Sequence, residues 1–351
     1  MSTLPAGTAH QPGELALEMV EHMVGITLDR IADLGMANAR RNAPLLGRGW
    51  GLRELRELHA GSGDRALVIA AGPSLHRTGN TRQLLSRKFD GALIASDSAM
   101  RHCLRQGIVP DLVVTLDPHA SRIVRWFGSP TLTQADLAAD DYFSRQDMDR
   151  AFADEMRAND EILELLARYG RRIKLALSTS AAPEVVQRAL DTGMEIYWWN
   201  PMYDDPSIED GLTRELFRLN GLPCMNAGGN VGAACWMMAD AVLGKRHVAL
   251  TGVDFSYYDG TPYRNTQYYY EALNLVGEER LDSLYVRIFN PHLQQWFFTD
   301  PAYLWYRNIF LEMAADAGCV TYNCTEGGIL FGGNIEFVPL AEFLSGKALR
   351  A

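Results

Sequence analysis

The chain has 351 residues, 47% hydrophobic and 22% charged, which supplies a sizeable core and excludes a disordered chain. A net charge of −10 with no Lys/Arg block argues against a nucleic-acid partner, whose binders carry a basic face. No run of about 18 apolar residues exists to cross a membrane, the start lacks a signal-peptide pattern, and five cysteines without a C-x-x-C pair fit a reducing, cytoplasmic setting.

Residues 14–60 read as helical. Leu15, Met19, Val20, Met23, Val24, Leu28, Ile31 and Leu34 recur at three- and four-residue steps, as an amphipathic helix requires. Gly47 to Gly51 breaks the pattern, and LRELRELHA makes a second short helix. This prefix, residues 1–62, covers the sheet or a partner surface and is assigned no chemistry.

The stretch ALVIAAGPSL, Ala66 to Leu75, then reads as the first strand of a parallel sheet, followed by a helix ending near Lys88. Gly72, Pro73 and Ser74 sit where strand gives way to helix, a place where backbone N–H groups and the helix dipole favour a phosphate. A plain turn explains them equally well. GALIASD leads into a helix that Gly107 caps, and DLVVTLD ends at Pro118. Three such strands with two helices between them predict a doubly wound, Rossmann-like α/β fold with a mostly parallel sheet. Two strands end in aspartates, Asp97 and Asp117. Carboxylates at that rim suit ribose hydroxyls, or a magnesium ion carrying phosphates.

Residues 119–170 are polar and mixed in charge, and read as an inserted helical lid or subdomain. RIKLALSTS and MEIYWWN resume the sheet around a helix opened by Pro183. Trp198, Trp199 and Tyr203 suit core or loop packing better than stacking on a base. Gly228-Gly229-Asn230 opens a helix with small side chains and forms a second candidate anion cradle. HVALTGVD is a buried strand running to Asp254. An insertion over about 257–300 is rich in tyrosine, including Tyr257 and Tyr263, whose hydroxyls suit a phosphate or a sugar. A helix over 301–317, ended by Gly318, precedes a strand, Glu326-Gly327-Gly328 and a closing helix.

The stretches VIAAGPSL, LIASDSAMRHCLRQGIVPDLVVTLDP, GGNVGAACWMMADAVLGKRHVALTGVDFSY and NCTEGGILFGG together resemble the MptE-like family, which includes the motility accessory factors (Maf). The likeness covers roughly residues 40–345. Archaeal members of that family resemble 6-hydroxymethylpterin pyrophosphokinases that use ATP and magnesium. Maf proteins are implicated in flagellin glycosylation with nonulosonic sugars and resemble bacterial sialyltransferases that use CMP-sugars, a histidine base and tyrosines on the phosphate. Ala70 stands where those sialyltransferases carry the first glycine of G-x-G-P-S, and no histidine of this chain is matched to their base.

The resemblance implies a catalytic domain over 63–345 that takes a nucleotide-activated, CMP-nonulosonic-type sugar for flagellin or a surface glycan. Gly72, Pro73, Ser74, Asp97, Ser98, Gly228, Gly229 and Asn230 are then the nucleotide-binding set. Asp117, Asp254 and Glu326 are the catalytic candidates, and Tyr257, Tyr263, Gly327 and Gly328 the phosphate or sugar contacts. A second expectation is magnesium-ATP pyrophosphoryl transfer to a pterin-like alcohol, with Asp117 and Asp254 on the metal. A third is a nucleotide-binding scaffold without catalysis. No tightly bound cofactor is expected beyond that magnesium. An NAD enzyme is disfavoured, since G-x-G-x-x-G is absent.

Overall fold

The computed structural model describes residues 14–58, 60–86, 89–120, 126–139 and 155–347. Its strands are β1 (Trp50–Gly51), β2 (Arg65–Ile69), β3 (Ala92–Ser96), β4 (Leu112–Thr115), β5 (Lys174–Ser178), β6 (Glu195–Pro201), β7 (Cys224–Met225), β8 (His247–Thr251), β9 (Tyr257–Tyr258), β10 (Val286–Asn290), β11 (Gln295–Thr299), β12 (Val320–Asn323) and β13 (Ile335–Phe337). Its α-helices are α1 (Glu14–Asn42), α2 (Leu52–Glu57), α3 (Ser74–Arg77), α4 (Asn80–Ser86), α5 (Asp97–Arg105), α6 (Gln134–Ala139), α7 (Glu155–Tyr169), α8 (Pro183–Asp191), α9 (Leu212–Asn220), α10 (Val231–Met237), α11 (Tyr269–Val276), α12 (Pro301–Ala315) and α13 (Leu340–Leu344).

The main sheet runs β1-β6-β5-β4-β3-β2-β8-β12-β13, with β7 extending β6, and its pairings are parallel. Both faces are covered, which is why its strands read as unbroken apolar runs. In β2 the alternation is direct. Ala66 and Val68 enter one core with Trp236 and Phe310. Leu67 and Ile69 enter the opposite one with Cys103, Tyr322 and Phe343. The chain moves outward from β2 to β6, then returns to lay β8 on the other side of β2, as a doubly wound sheet does.

α1 runs to Asn42, eight residues past the last apolar repeat read from the sequence. Its final turns are held by buried asparagines one turn apart on a single face. Asn38 Nδ2 donates to the carbonyls of Pro118 (2.9 Å) and Ser180 (3.1 Å). Asn42 Nδ2 donates to those of Thr179 (2.9 Å) and Ala181 (2.8 Å). These four bonds tie the prefix to the carboxyl ends of β4 and β5.

Other boundaries differ from the sequence reading for local reasons. The helix after β2 is broken into α3 and α4 at Gly79, whose φ is +67°, and Lys88 lies outside the described residues. Of the expected lid, residues 121–125 and 140–154 lie outside the described residues. Its C-terminal part, α7, covers the sheet, with Ile162 and Leu166 packed against Leu175 and Leu177. Trp198 and Trp199 are buried, as packing requires. α12 stops at Ala315, before Gly318. The tyrosine-rich insertion makes its own antiparallel sheet, β10-β11-β9, over a small core of Tyr257, Leu284, Tyr285 and Phe298.

Candidate functional site

A cavity of about 380 Å³ opens at the switch point, where the loops after β2 and β8 part. Such crevices are where doubly wound sheets bind ligands. It is lined by Ala70 to Pro73 after β2, Ser96 to Ser98 at the end of β3, Leu116 to His119 after β4, Pro201 to Tyr203 at the end of β6 and Gly252 to Phe255 after β8. Thr27 and Ile31 of α1 and Tyr268, Tyr303 and Tyr306 complete the wall. From β6 to β8 is five inter-strand steps, about 24 Å at the usual spacing.

Of the residues singled out in the sequence, Gly72, Pro73, Asp97, Ser98, Asp117, Gly229, Asn230, Asp254 and Tyr257 line this cavity. Ser74, Gly228, Tyr263, Glu326, Gly327 and Gly328 do not, and each has a structural reason for its identity. Ser74 is buried and donates to Asp254 twice, from its backbone N–H to Oδ1 (3.2 Å) and from Oγ to Oδ2 (2.7 Å). A Cβ on Gly72 would lie 2.1 Å from Asp254 Oδ2, and one on Gly327 would lie 2.7 Å from Ser74 Cβ. Gly328 sits directly on the Asp254 backbone, at a φ of +75°. Asp254 is thus a knot that draws together the loops after β2, β8 and β12, and Gly72, Gly327 and Gly328 make room for it. Burial pushes its carboxyl up to about 7, although Ser74 and Arg77 favour the charged form.

The remaining misplaced residues follow the same logic. Glu326 takes a left-handed φ of +54° and accepts from the backbone N–H of Leu340, at the start of α13 (3.1 Å). Gly228 packs under Ala233 and Met313. Asn230 lines the cavity with its side chain engaged, because Oδ1 accepts from Ala233 N–H (2.9 Å) as the N-cap of α10. Tyr263 stacks on Tyr285 at 4.0 Å and donates to Asp282, beside a separate surface groove. Tyr257 reaches the cavity, but its hydroxyl donates to Asp300 (2.9 Å) and accepts from Gln267 N–H (3.0 Å).

The chemistry concentrates after β3 and β4. Asp97 is buried in the first turn of α5 and accepts from Ser98 N–H (2.6 Å). Burial raises its carboxyl to about 7, with the charge of Asp117 adding to the rise. Asp117 Oδ1 accepts from both the backbone N–H (2.8 Å) and Nδ1 (2.9 Å) of His119. With the Nδ1 proton committed to the carboxylate, the lone pair of the ring lies on Nε2, the arrangement of an oriented general base. Asp117 and Asp254 follow strands three steps apart, about 14 Å, and Asp254 is spent on Ser74. Among the described residues no group of three His, Cys, Asp or Glu side chains is placed to hold a metal.

His119 was legible two residues after Asp117, since proline at 118 bends the chain and lets position 119 reach back to the aspartate. Tyr268 belongs to the tyrosine-rich insertion read from the sequence, whereas Tyr303 and Tyr306, in the helix that follows, carried no local signal. Tyr303 OH donates to Gln267 Oε1 (2.6 Å), and the hydroxyls of Tyr268 and Tyr306 meet at 3.0 Å.

Residues 49–128 match a family model described as 6-hydroxymethylpterin diphosphokinase MptE-like. No curated protein matches the chain. A solved structure, the MAf glycosyltransferase from Magnetospirillum magneticum AMB-1, shares the fold at a TM-score of 0.53 and 16% identity, over 91% of this chain and 39% of that one. This chain therefore spans well under half the length of that relative. The family match over the first strands of the sheet, together with the shared fold, bears out the resemblance to the MptE-like and Maf proteins read from the sequence.

Proposed function

We propose that the chain is a transferase of the glycosyltransferase type, which moves a sugar from a nucleotide donor to a hydroxyl acceptor. The donor class is a cytidine-monophosphate-activated nonulosonic sugar, and the acceptor is a protein such as flagellin or a surface glycan. The observation that carries this reading is the Asp117–His119 pair facing a trough along the strand ends. The acceptor hydroxyl gives its proton to His119 Nε2 as its oxygen bonds to the anomeric carbon. The bond from that carbon to the phosphate oxygen breaks, and the electron pair leaves with the phosphate. Asp117 stabilises the resulting imidazolium. The first turn of α10, where Gly229, Asn230, Val231 and Gly232 line the wall, favours the departing negative charge. Asp254 and Glu326, candidates in the sequence, act as scaffold in this scheme. Gly72, Pro73, Asp97 and Ser98 form the floor under the nucleotide.

A second reading, magnesium-ATP pyrophosphoryl transfer to a pterin-like alcohol, is favoured by the family model over residues 49–128. Thermal shift separates the two, because a ligand that binds only the folded state raises the melting temperature. Selective stabilisation by CMP is expected. Stabilisation by magnesium-ATP alone replaces the first reading with the second, and stabilisation by neither leaves a scaffold. Turnover of CMP-N-acetylneuraminate is the direct assay.

A further inference from the structure

One wall of the cavity holds an amide that the scheme above leaves unused. Gln267 lies two residues before α11 and lines the cavity beside Tyr268, Tyr303 and Tyr306. Both ends of the residue are fixed. Its backbone N–H donates to the Tyr257 hydroxyl (3.0 Å), whose own proton goes to Asp300 Oδ2 (2.9 Å). Its side-chain Oε1 accepts from Tyr303 OH (2.6 Å). Asp300 closes the frame, because Oδ1 accepts from the backbone N–H of Tyr303 (2.8 Å), and the rings of Tyr257 and Tyr303 stack at 5.3 Å. Asp300 and Tyr257 are each 1% exposed, so the frame is anchored in the interior, where a broken hydrogen bond costs most.

A primary amide carries an accepting oxygen and two N–H donors. Tyr303 engages the oxygen and holds the amide in one orientation. Of the two donors, one reaches the Tyr268 hydroxyl at a long 3.4 Å, and the other has no partner among the described residues. A side chain fixed in this way offers its donor to a ligand oxygen at little further cost in conformational freedom. The same wall touches the first turn of α10, where the departing phosphate is placed. The hydroxyls of Tyr268 and Tyr306 meet at 3.0 Å, and a Cβ on Gly229 would lie 2.8 Å from the Tyr306 ring. We infer that Gln267 is a ligand-binding residue, whose Nε2 donates to a phosphate oxygen of the nucleotide. The inference rests on the reading that a nucleotide-linked substrate occupies the cavity, and it adds to that reading a neutral donor on the side of the tyrosine-rich insertion.

Calorimetric titration of the full chain with CMP, cytidine and AMP tests it. Gln267→Ala keeps the backbone bond to Tyr257 and is expected to lower CMP affinity at least about tenfold, the scale of one hydrogen bond to a charged group, with the response to cytidine unchanged. Gln267→Glu keeps an acceptor for Tyr303 and sets a carboxylate where the donor was, so it should lower CMP affinity further. Gln267 is only partly buried, and melting temperatures near that of the unaltered protein check that both variants fold. CMP affinity equal to wild type in Gln267→Ala overturns the inference. An equal loss for cytidine moves the contact from the phosphate to the nucleoside and overturns it too. Binding of AMP and not CMP by the unaltered protein, weakened by Gln267→Ala, overturns the cytidine-donor reading and leaves the Gln267 contact standing. Binding of neither nucleotide overturns both.

Discussion

Asn38→Ala tests whether the N-terminal helix is part of the site or a detachable cover. The Nδ2 group of Asn38 serves the carbonyls of Pro118 and Ser180 in a buried setting. Removing it leaves two buried acceptors without that donor, at about 1–3 kcal/mol each. Alanine is the better helix former by roughly 0.6 kcal/mol, so the net loss is about 1.4–5.4 kcal/mol. Urea unfolding should show the loss as a lower midpoint with an unchanged slope. Glu21→Ala, on the exposed face of the same helix, should stay within about 0.5 kcal/mol. Because Pro118 lies between Asp117 and His119, the variant should also broaden or shift the His119 imidazole resonances in NMR spectra. A loss below about 0.5 kcal/mol for Asn38→Ala would refute the reasoning, since it would mean that water reaches those carbonyls and that α1 does not hold the turn.

Three further outcomes follow from the geometry. His119→Gln should lower the transfer rate by about 10²–10⁴-fold, with CMP affinity unchanged; retention of rate within threefold would remove His119 from the mechanism. Gly72→Ala should destabilise by about 1–3 kcal/mol or more, because the new Cβ would meet Asp254 Oδ2 and the Gly252 carbonyl; melting at the wild-type temperature would show that the loop has room after all. Asp97 and Asp254 keep their protons up to about 7, and Asp300 up to about 6, in each case chiefly through burial, whereas unfolded aspartates lose theirs near pH 4. The folded state therefore binds more protons across that window, so their contribution is full below pH 4 and is lost as pH rises through 6–7, at up to about 1.4 kcal/mol per pH unit per group. Urea midpoints taken from pH 5 to 8 should fall, and Asp254→Asn should flatten the slope; a rise in stability across that range contradicts the assignment.

Much of the architecture was legible because the strands are apolar runs stopped by Gly or Asp, a pattern a sheet covered on both faces imposes locally. The rim that carries the cavity was legible for the same reason: Asp97, Asp117 and Gly72 mark strand ends that line it. What the pattern did not contain was the partner of each glycine. Gly72, Gly228 and Gly327 look alike in sequence whether the close neighbour is a ligand or a side chain, and here the neighbours are Asp254, Met313 and Ser74. Nor does the sequence place Glu161, sixty residues on, against Arg101 and Arg105.

Asp117 and Asp254 show how a shared sequence feature divides between chemistry and architecture. Both follow buried strands and both line the cavity. The loop after β8 lies between the loops after β2 and β12, so Asp254 is met by Ser74 on one side and by Gly327 and Gly328 on the other. Its oxygens are spent on holding three loops together. Asp117 follows β4, where the neighbouring turn after β5 is already satisfied by Asn38 and Asn42 of α1. Its carboxylate orients a histidine two residues away. A helix assigned no chemistry of its own thus holds the turn between Asp117 and His119 through the Pro118 carbonyl, and that contact is why the Asn38 substitution should reach the imidazole of His119.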